Sequence, residues 1–417
     1  IYHYHKKWGV DESFPAGDYY FTETLAKYLQ YLKDNSFIKD EEKRQEYLIN
    51  DNWYYLEDNP KNPDELSKSS VVWEKINLPH TWNKFDATDN LPGYRRDASW
   101  YQKNIFIPGL ENNLKFILHF EGINIISEIY VNGKEAGGHT GGYIGFNIDI
   151  TSLIKEGEIN EILVRADNSV NRDIIPSQKS DFFIYGGINR DVWLKVLPAE
   201  YINNIKITSP VVDEKKALTI VKVNLIPDDI KEFVIEVSIK DPTGKIVSST
   251  QINSNENGNS SNVELNLPEI SNPFLWSPDN PNLYTIEAEL YSGNKVIDHL
   301  DEKFGYRWFE FKPNGAFYLN GKRLLIRGTH WHEDYAGLGN AIPDSLKEKD
   351  FKMMKKMGAN FIRLAHYPQD PVVYQLCDEL GILVWDELPW CRGGIGKELW
   401  KENTRGMLGE MIDQNFN

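Results

Sequence analysis

The stretch from 315 to 391 alternates strand and helix, and that alternation limits what the chain can fold into more than any other feature. RLLIRGTH (323–330) is a short apolar run ending in polar residues, and SLKEKDFKMMKKMG (345–358) carries apolar residues at helical spacing with a terminal glycine. ANFIRLAH follows as a second strand. DPVVYQLCDELG reads as a helix started by Asp370 and Pro371 and stopped by Gly381, and ILVWDELPW as a third strand. A crossover helix returns the chain to run in the same direction, so the three strands are predicted to be parallel.

The carboxyl ends of these strands carry ionisable clusters. They are His330, His332, Glu333 and Asp334, then Arg363, His366 and Tyr367, then Asp386, Glu387 and Trp390. In a closed (β/α)8 barrel those ends make one rim, and substrates bind at that rim. Polar residues end strands in every fold, so any one of these positions also fits an ordinary surface role. Three clusters delivered to the same end point to a site.

At 417 residues the chain exceeds a single core, which predicts about two to four domains. A net charge of −16 and the lack of any basic run argue against a nucleic-acid partner, because phosphate binding needs a basic surface. The 12 Trp and 22 Tyr suit stacking on sugar rings and equally suit large β-sandwich cores. Cys377 and Cys391 lack metal-ligand spacing and form no disulfide framework, so both are expected to be free thiols that leave the redox compartment open. No apolar run approaches the roughly 18 residues that cross a bilayer. The chain begins at Ile1 rather than Met, as expected where a leader or tag is missing.

Residues 1–47 read as a partly helical appendage, with TETLAKYLQYLKDN as an amphipathic helix and DEEKRQEYL as a more charged one. His3 and His5 have a spacing that could bind metal on a strand, but no third ligand lies nearby. From residue 48 to 199 short alternating strands punctuated by Gly, Pro and Asn predict a β-sandwich, with Asn132-Gly133 as its clearest hairpin turn. Its glycines at 137, 138, 141 and 142 would allow tight turns and form no phosphate loop.

Three of these regions carry a resemblance. LPHTWN (78–83), FEGINIISEIYVNGKEAGGHTGGYIGFNIDIT (120–151) and DFFIYGGINRDVWL (181–194) resemble the sugar-binding jelly roll that opens family two of the glycoside hydrolases. Tyr318 to Gly321, Arg327 to Asp334, Arg363 to Pro368, and Asp386-Glu387 are similar to the first three units of that family's catalytic barrel. Between them, residues 200–307 hold seven or so strands in about 100 residues, suiting an immunoglobulin-like sandwich. Within it NPFLWSPDNPNLY reads as a rigid loop packed on a Trp, a spacer between the lectin-like domain and the barrel. The expected architecture is therefore multidomain β plus α/β: the appendage, a jelly roll, an immunoglobulin-like sandwich, and the first three βα units of a (β/α)8 TIM barrel at 308–417.

The resemblance also implies residue roles. Asp181 matches a carboxylate that reaches from the first domain to accept hydrogen bonds from sugar hydroxyls, a role suited to a group that only accepts; capping a turn is the competing role. His332 and His366 match histidines lining the pocket, with a strand-end hydrogen bond as the alternative. Arg363, Glu333 and Trp390 complete the expected substrate-binding set. Retaining glycosidases need two carboxyl groups about 5 to 5.5 Å apart. The family supplies them from an Asn-Glu pair on a fourth strand and a Glu on a seventh, so neither catalytic group is expected within these 417 residues. Asp386 and Glu387 cannot replace them, because adjacent strand residues face opposite ways. Three units alone would leave strand edges and an inner layer open, so the chain is expected to be part of a longer enzyme.

The resemblance implies a retaining, exo-acting β-glycosidase, with β-galactosidase as first choice and β-glucuronidase, or a non-catalytic carbohydrate-binding protein, as alternatives. No cofactor is required, although a structural or active-site cation would be compatible. A carbohydrate is the expected partner, with a homo-oligomer also consistent. A periplasmic or secreted location is favoured over a cytoplasmic one.

Overall fold

The computed structural model describes residues 27, 38, 43–66, 72–110, 113–176, 180–256 and 260–417. The predicted helix at 22–35 and the His3/His5 pair lie outside these residues, apart from isolated positions. The second predicted helix, DEEKRQEYL, is corrected: Gln45–Leu48 is a strand paired antiparallel with Val192–Pro198. Its alternating exposure, with Tyr47 packed against the neighbouring core, is the period-2 pattern of a sheet edge, and the tertiary partner overrides the helix-forming charges.

That strand edges a four-stranded sheet in the order Gln45–Leu48, Val192–Pro198, Leu114–Phe120, Phe146–Asp149. A six-stranded sheet faces it, in the order Glu74–Ile76, Trp53–Leu56, Ala98–Ile107, Glu158–Asp167, Ile126–Val131, Lys134–Thr140. Inward residues of both sheets, among them Trp53, Tyr101, Phe120, Ile129, Val164 and Leu194, form one core. Asn132 and Gly133 both have positive φ (53° and 75°), the two-residue hairpin geometry their types favour.

The next unit is a second sandwich. One sheet pairs Tyr201–Val212, Lys216–Ile226 and Asn262–Ser271, and the other runs Ile246–Asn253, Val234–Lys240, Tyr284–Ser292, Lys295–Phe304. The loop that follows Asn262–Ser271 buries Trp276, whose indole donates to the carbonyl of Asp378 at 2.9 Å. It thereby ties this sandwich to a helix of the last unit.

The last unit is the α/β segment. Its strands β1 (Gly328–Trp331), β2 (Phe361–Leu364) and β3 (Leu383–Trp385) are parallel, with Gly328 opposite Phe361 and Phe361 opposite Leu383. Helices α1 (Asp344–Lys356) and α2 (Pro371–Leu380) cover one face through Phe351, Val373, Leu376 and Cys377. The signals that bound α2 act as the sequence suggests. Asp370 accepts from the amide of Val372, Pro371 opens the first turn, and Gly381 closes the helix at φ 70°. No β-carbon could be added at Gly381 without meeting the Pro278 carbonyl at 2.7 Å.

Helix α3 (Glu398–Gln414) lies against the first sandwich. Met407 packs with Ile144 and Ile175, Asn403 donates to the Asp173 carbonyl, and the Gly145 amide donates to Gln414. Gly141 permits this close approach, since a β-carbon there would stand 2.9 Å from Met407. Among the described residues no helix is long and apolar enough to cross a membrane.

Candidate active site

The aligned register of β1, β2 and β3 brings the residues that follow them to one edge. Just past β1, His332 has its ring 5.0 Å from that of His366, which stands two residues past β2. Phe182, on the first sandwich, lies 5.7 Å from His366, 6.3 Å from His332 and 5.3 Å from Tyr367. Asp181, next to it, is close enough for its charge to act on His332 and for that of His366 to act on it. A loop of the first sandwich and two strand ends of the α/β segment thus come together, across the whole intervening sandwich.

Asp181 is partly exposed and takes two donors from the loop after β3. The Cys391 thiol donates to Oδ1 at 2.9 Å, and Arg392 Nη2 sits 2.6 Å from Oδ2. The thiol hydrogen bond and then Arg392 hold this carboxyl below its ordinary value. His332 is also shifted downward, first by burial and then by His366, so its neutral form is favoured.

Arg363 and Glu387 form a two-pronged pair, with Nε to Oε1 at 2.5 Å and Nη2 to Oε2 at 2.9 Å. His366 Nδ1 lies 3.2 Å from Oε2 of the same carboxylate and 2.9 Å from Arg363 Nη2. Nδ1 thus faces both a carboxylate, which only accepts, and a guanidinium, which only donates. Burial opposes ionisation of Glu387, but hydrogen bonds from Arg363 and His366 outweigh it and hold the carboxyl below its ordinary value. Asp386, the preceding residue, turns the other way and accepts from Tyr374 at 2.7 Å.

The depressed Glu387 carboxyl has a consequence for stability. A folded value below the unfolded 4.5 stabilises above 4.5, and that contribution disappears as pH falls through the folded value. Glu387→Gln is therefore expected to flatten the acid limb of stability below pH 4.5. Urea midpoints measured from neutral pH downward check this; an unchanged slope would contradict it.

Glu333 is placed differently from the expected pocket lining. Its side chain is 1% exposed and bonded to Arg190 Nη2 at 2.9 Å, with the Asp370 amide on its other oxygen at 3.3 Å. A carboxylate so enclosed cannot reach a sugar and instead joins the sandwich to the α/β segment. Its neighbour Asp334 accepts from Tyr185 at 2.7 Å. Trp390 is half exposed on the loop after β3, where its indole donates to the Gly394 carbonyl at 3.1 Å. Sequence reasoning missed Phe182, Tyr185, Cys391 and Arg392. The signal for the last two was an Arg before Gly393-Gly394 at a strand end, which reads as a loop without showing what the loop touches.

Among the described residues no cluster of three or more His, Cys, Asp or Glu could hold a metal ion.

Comparison with known families matches this arrangement along most of the chain. Residues 67–198 match the glycosyl hydrolases family 2 sugar binding domain, 200–307 glycosyl hydrolases family 2, and 310–405 the family 2 TIM barrel domain. The chain belongs to glycosyl hydrolase family 2. Among its family relatives, a Formosa agariphila protein named "Putative beta-glucuronidase" is 49% identical over 99% of this chain and 49% of its own length. A Bacteroides fragilis protein named beta-glucuronidase is 34% identical over 90% of this chain and 55% of its own. The crystal structure of a Parabacteroides merdae beta-glucuronidase superposes with a TM-score of 0.83 at 36% identity, covering 89% of this chain and 49% of that one. The chain spans about half the length of the curated relatives it matches. Family membership fits the jelly roll, the immunoglobulin-like sandwich and the partial barrel seen here.

Proposed function

We propose that this chain forms the sugar-recognising part of a retaining β-glycosidase whose substrate is a terminal β-D-glucuronide. The observation that carries the reading is the meeting of Asp181, His332 and His366 against the Phe182 ring. Asp181 offers an anionic acceptor to ring hydroxyls, the imidazoles supply polar contacts, and Phe182 supplies an apolar wall. The names of the relatives above favour a glucuronide, so the galactoside, first choice on sequence, is the less supported substrate. A beta-galactosidase of Thermoanaerobacter pseudethanolicus is 31% identical over 88% of this chain, which keeps neutral sugars as the natural control.

Chemistry needs more than recognition. A retaining mechanism requires one carboxyl to be protonated near neutral pH and a second to be free to attack the anomeric carbon. Asp181 and Glu387 are both held below their ordinary values, and Glu387 is gripped by Arg363 and His366. Asp386 faces Tyr374 instead. The 417-residue chain is therefore expected to bind methyl β-D-glucuronide more tightly than methyl β-D-galactoside, yet to release no nitrophenol from nitrophenyl β-D-glucuronide. Calorimetric titration and a chromogenic assay check the two halves. Equal or absent binding would overturn the substrate assignment; turnover would overturn the division of labour.

A further inference from the structure

We propose that Arg392 is a specificity residue that lets an anionic sugar sit beside Asp181. The inference rests on the glucuronide reading above and names the group that makes it electrostatically workable. A hexuronate carries its carboxylate one carbon from the ring, next to the 4-hydroxyl. When Asp181 grips hydroxyls at that edge, two carboxylates come close together, and like charges at that separation disfavour binding unless a cation lies between them.

The cations near the pocket narrow the choice. Arg363 is committed to Glu387 by both prongs of its guanidinium and also faces His366. His332 has its neutral form favoured by burial and by His366. Arg190 and Lys347 are enclosed in ion pairs with Glu333 and Asp370 beneath the site. Arg392 differs from all of these. Its side chain is 70% exposed, and one nitrogen touches Asp181. A guanidinium has five donors in a planar fork, so a second carboxylate can be received while the first is held.

The backbone sets this position. Arg392 adopts φ 51° and Gly394 φ 73°, a reversal that turns Cys391 and Arg392 toward the same carboxylate. The Trp390 indole closes the turn on the Gly394 carbonyl. Two successive side chains on one carboxylate, with the turn pinned beside them, make this a built arrangement of the loop.

The test uses two ligands that differ only at C6, methyl β-D-glucuronide and methyl β-D-glucoside, titrated into the chain and its variants. Arg392→Ala is expected to weaken the glucuronide about tenfold or more while leaving the glucoside within about twofold. Arg392→Lys should recover part of the loss, because it keeps the charge without the fork. If Arg392→Ala weakens both ligands alike, the residue only positions Asp181 and the proposal fails. If both tighten, Arg392 is an occupant of the site that sugars must displace, and the proposal also fails. Binding of the glucoside but not the glucuronide by the wild-type chain would remove the glucuronide reading and this inference with it, as would binding of neither.

Discussion

Replacing Arg190 with methionine is expected to destabilise the chain by about 3–5 kcal/mol, the usual cost of removing one partner from a buried ion pair. The guanidinium is 2% exposed and donates to Glu333 at 2.9 Å, to the Pro368 carbonyl at 2.6 Å and to the Tyr143 carbonyl at 2.9 Å. Burial opposes its charge, but Glu333 and Asp370 outweigh that and raise its pKa above the ordinary arginine value. Without it, Glu333 keeps the Asp370 amide while staying buried beside Asp370, itself buried. Lys347, bonded to Asp370 at 2.5 Å, compensates only in part. The double variant Arg190→Met with Glu333→Leu removes both charges and should recover most of the loss. Urea unfolding followed by tryptophan fluorescence reads both. A single variant within about 0.5 kcal/mol of wild type would contradict this account of how the first sandwich is joined to the α/β segment.

The parts of the fold that could be read in advance are those whose signals are local. The α/β alternation follows from periodicity and from caps such as Asp370 and Gly381, whose roles depend on their own turn of chain. The Asn132-Gly133 turn is local in the same sense. Gln45–Leu48 was misread because its partner, Val192–Pro198, lies far along the chain and the intervening sequence carries no trace of the pairing. Glu333 shows the same limit within the site. On the strand-end pattern it belongs with His332, but whether a carboxylate faces a pocket or a buried arginine depends on Arg190, in another domain. Phe182 and Arg392 were invisible for the same reason, since each acts across an interface. For Asp181 only the family resemblance supplies an expected role. Nothing in its immediate neighbours distinguishes it from a turn cap.

The central claim is that Asp181, His332 and His366 serve one ligand. Its carboxylate can accept from two ring hydroxyls at once, and hydrogen bonds to a charged acceptor are among the stronger ones. Asp181→Asn keeps the shape but gives a side chain that donates on one side, leaving a sugar hydroxyl without its acceptor. Affinity for methyl β-D-glucuronide is expected to fall roughly a hundredfold, with little change in unfolding because the residue is partly exposed. The direct measurement is a ligand titration followed by NMR of the imidazole rings, on wild type and on Asp181→Asn. The prediction is that saturating glucuronide moves the ring signals of both His332 and His366 in the wild type, and that the variant needs about a hundredfold more ligand for the same movement. Binding that leaves both imidazoles unmoved, or that Asp181→Asn does not weaken, would contradict it.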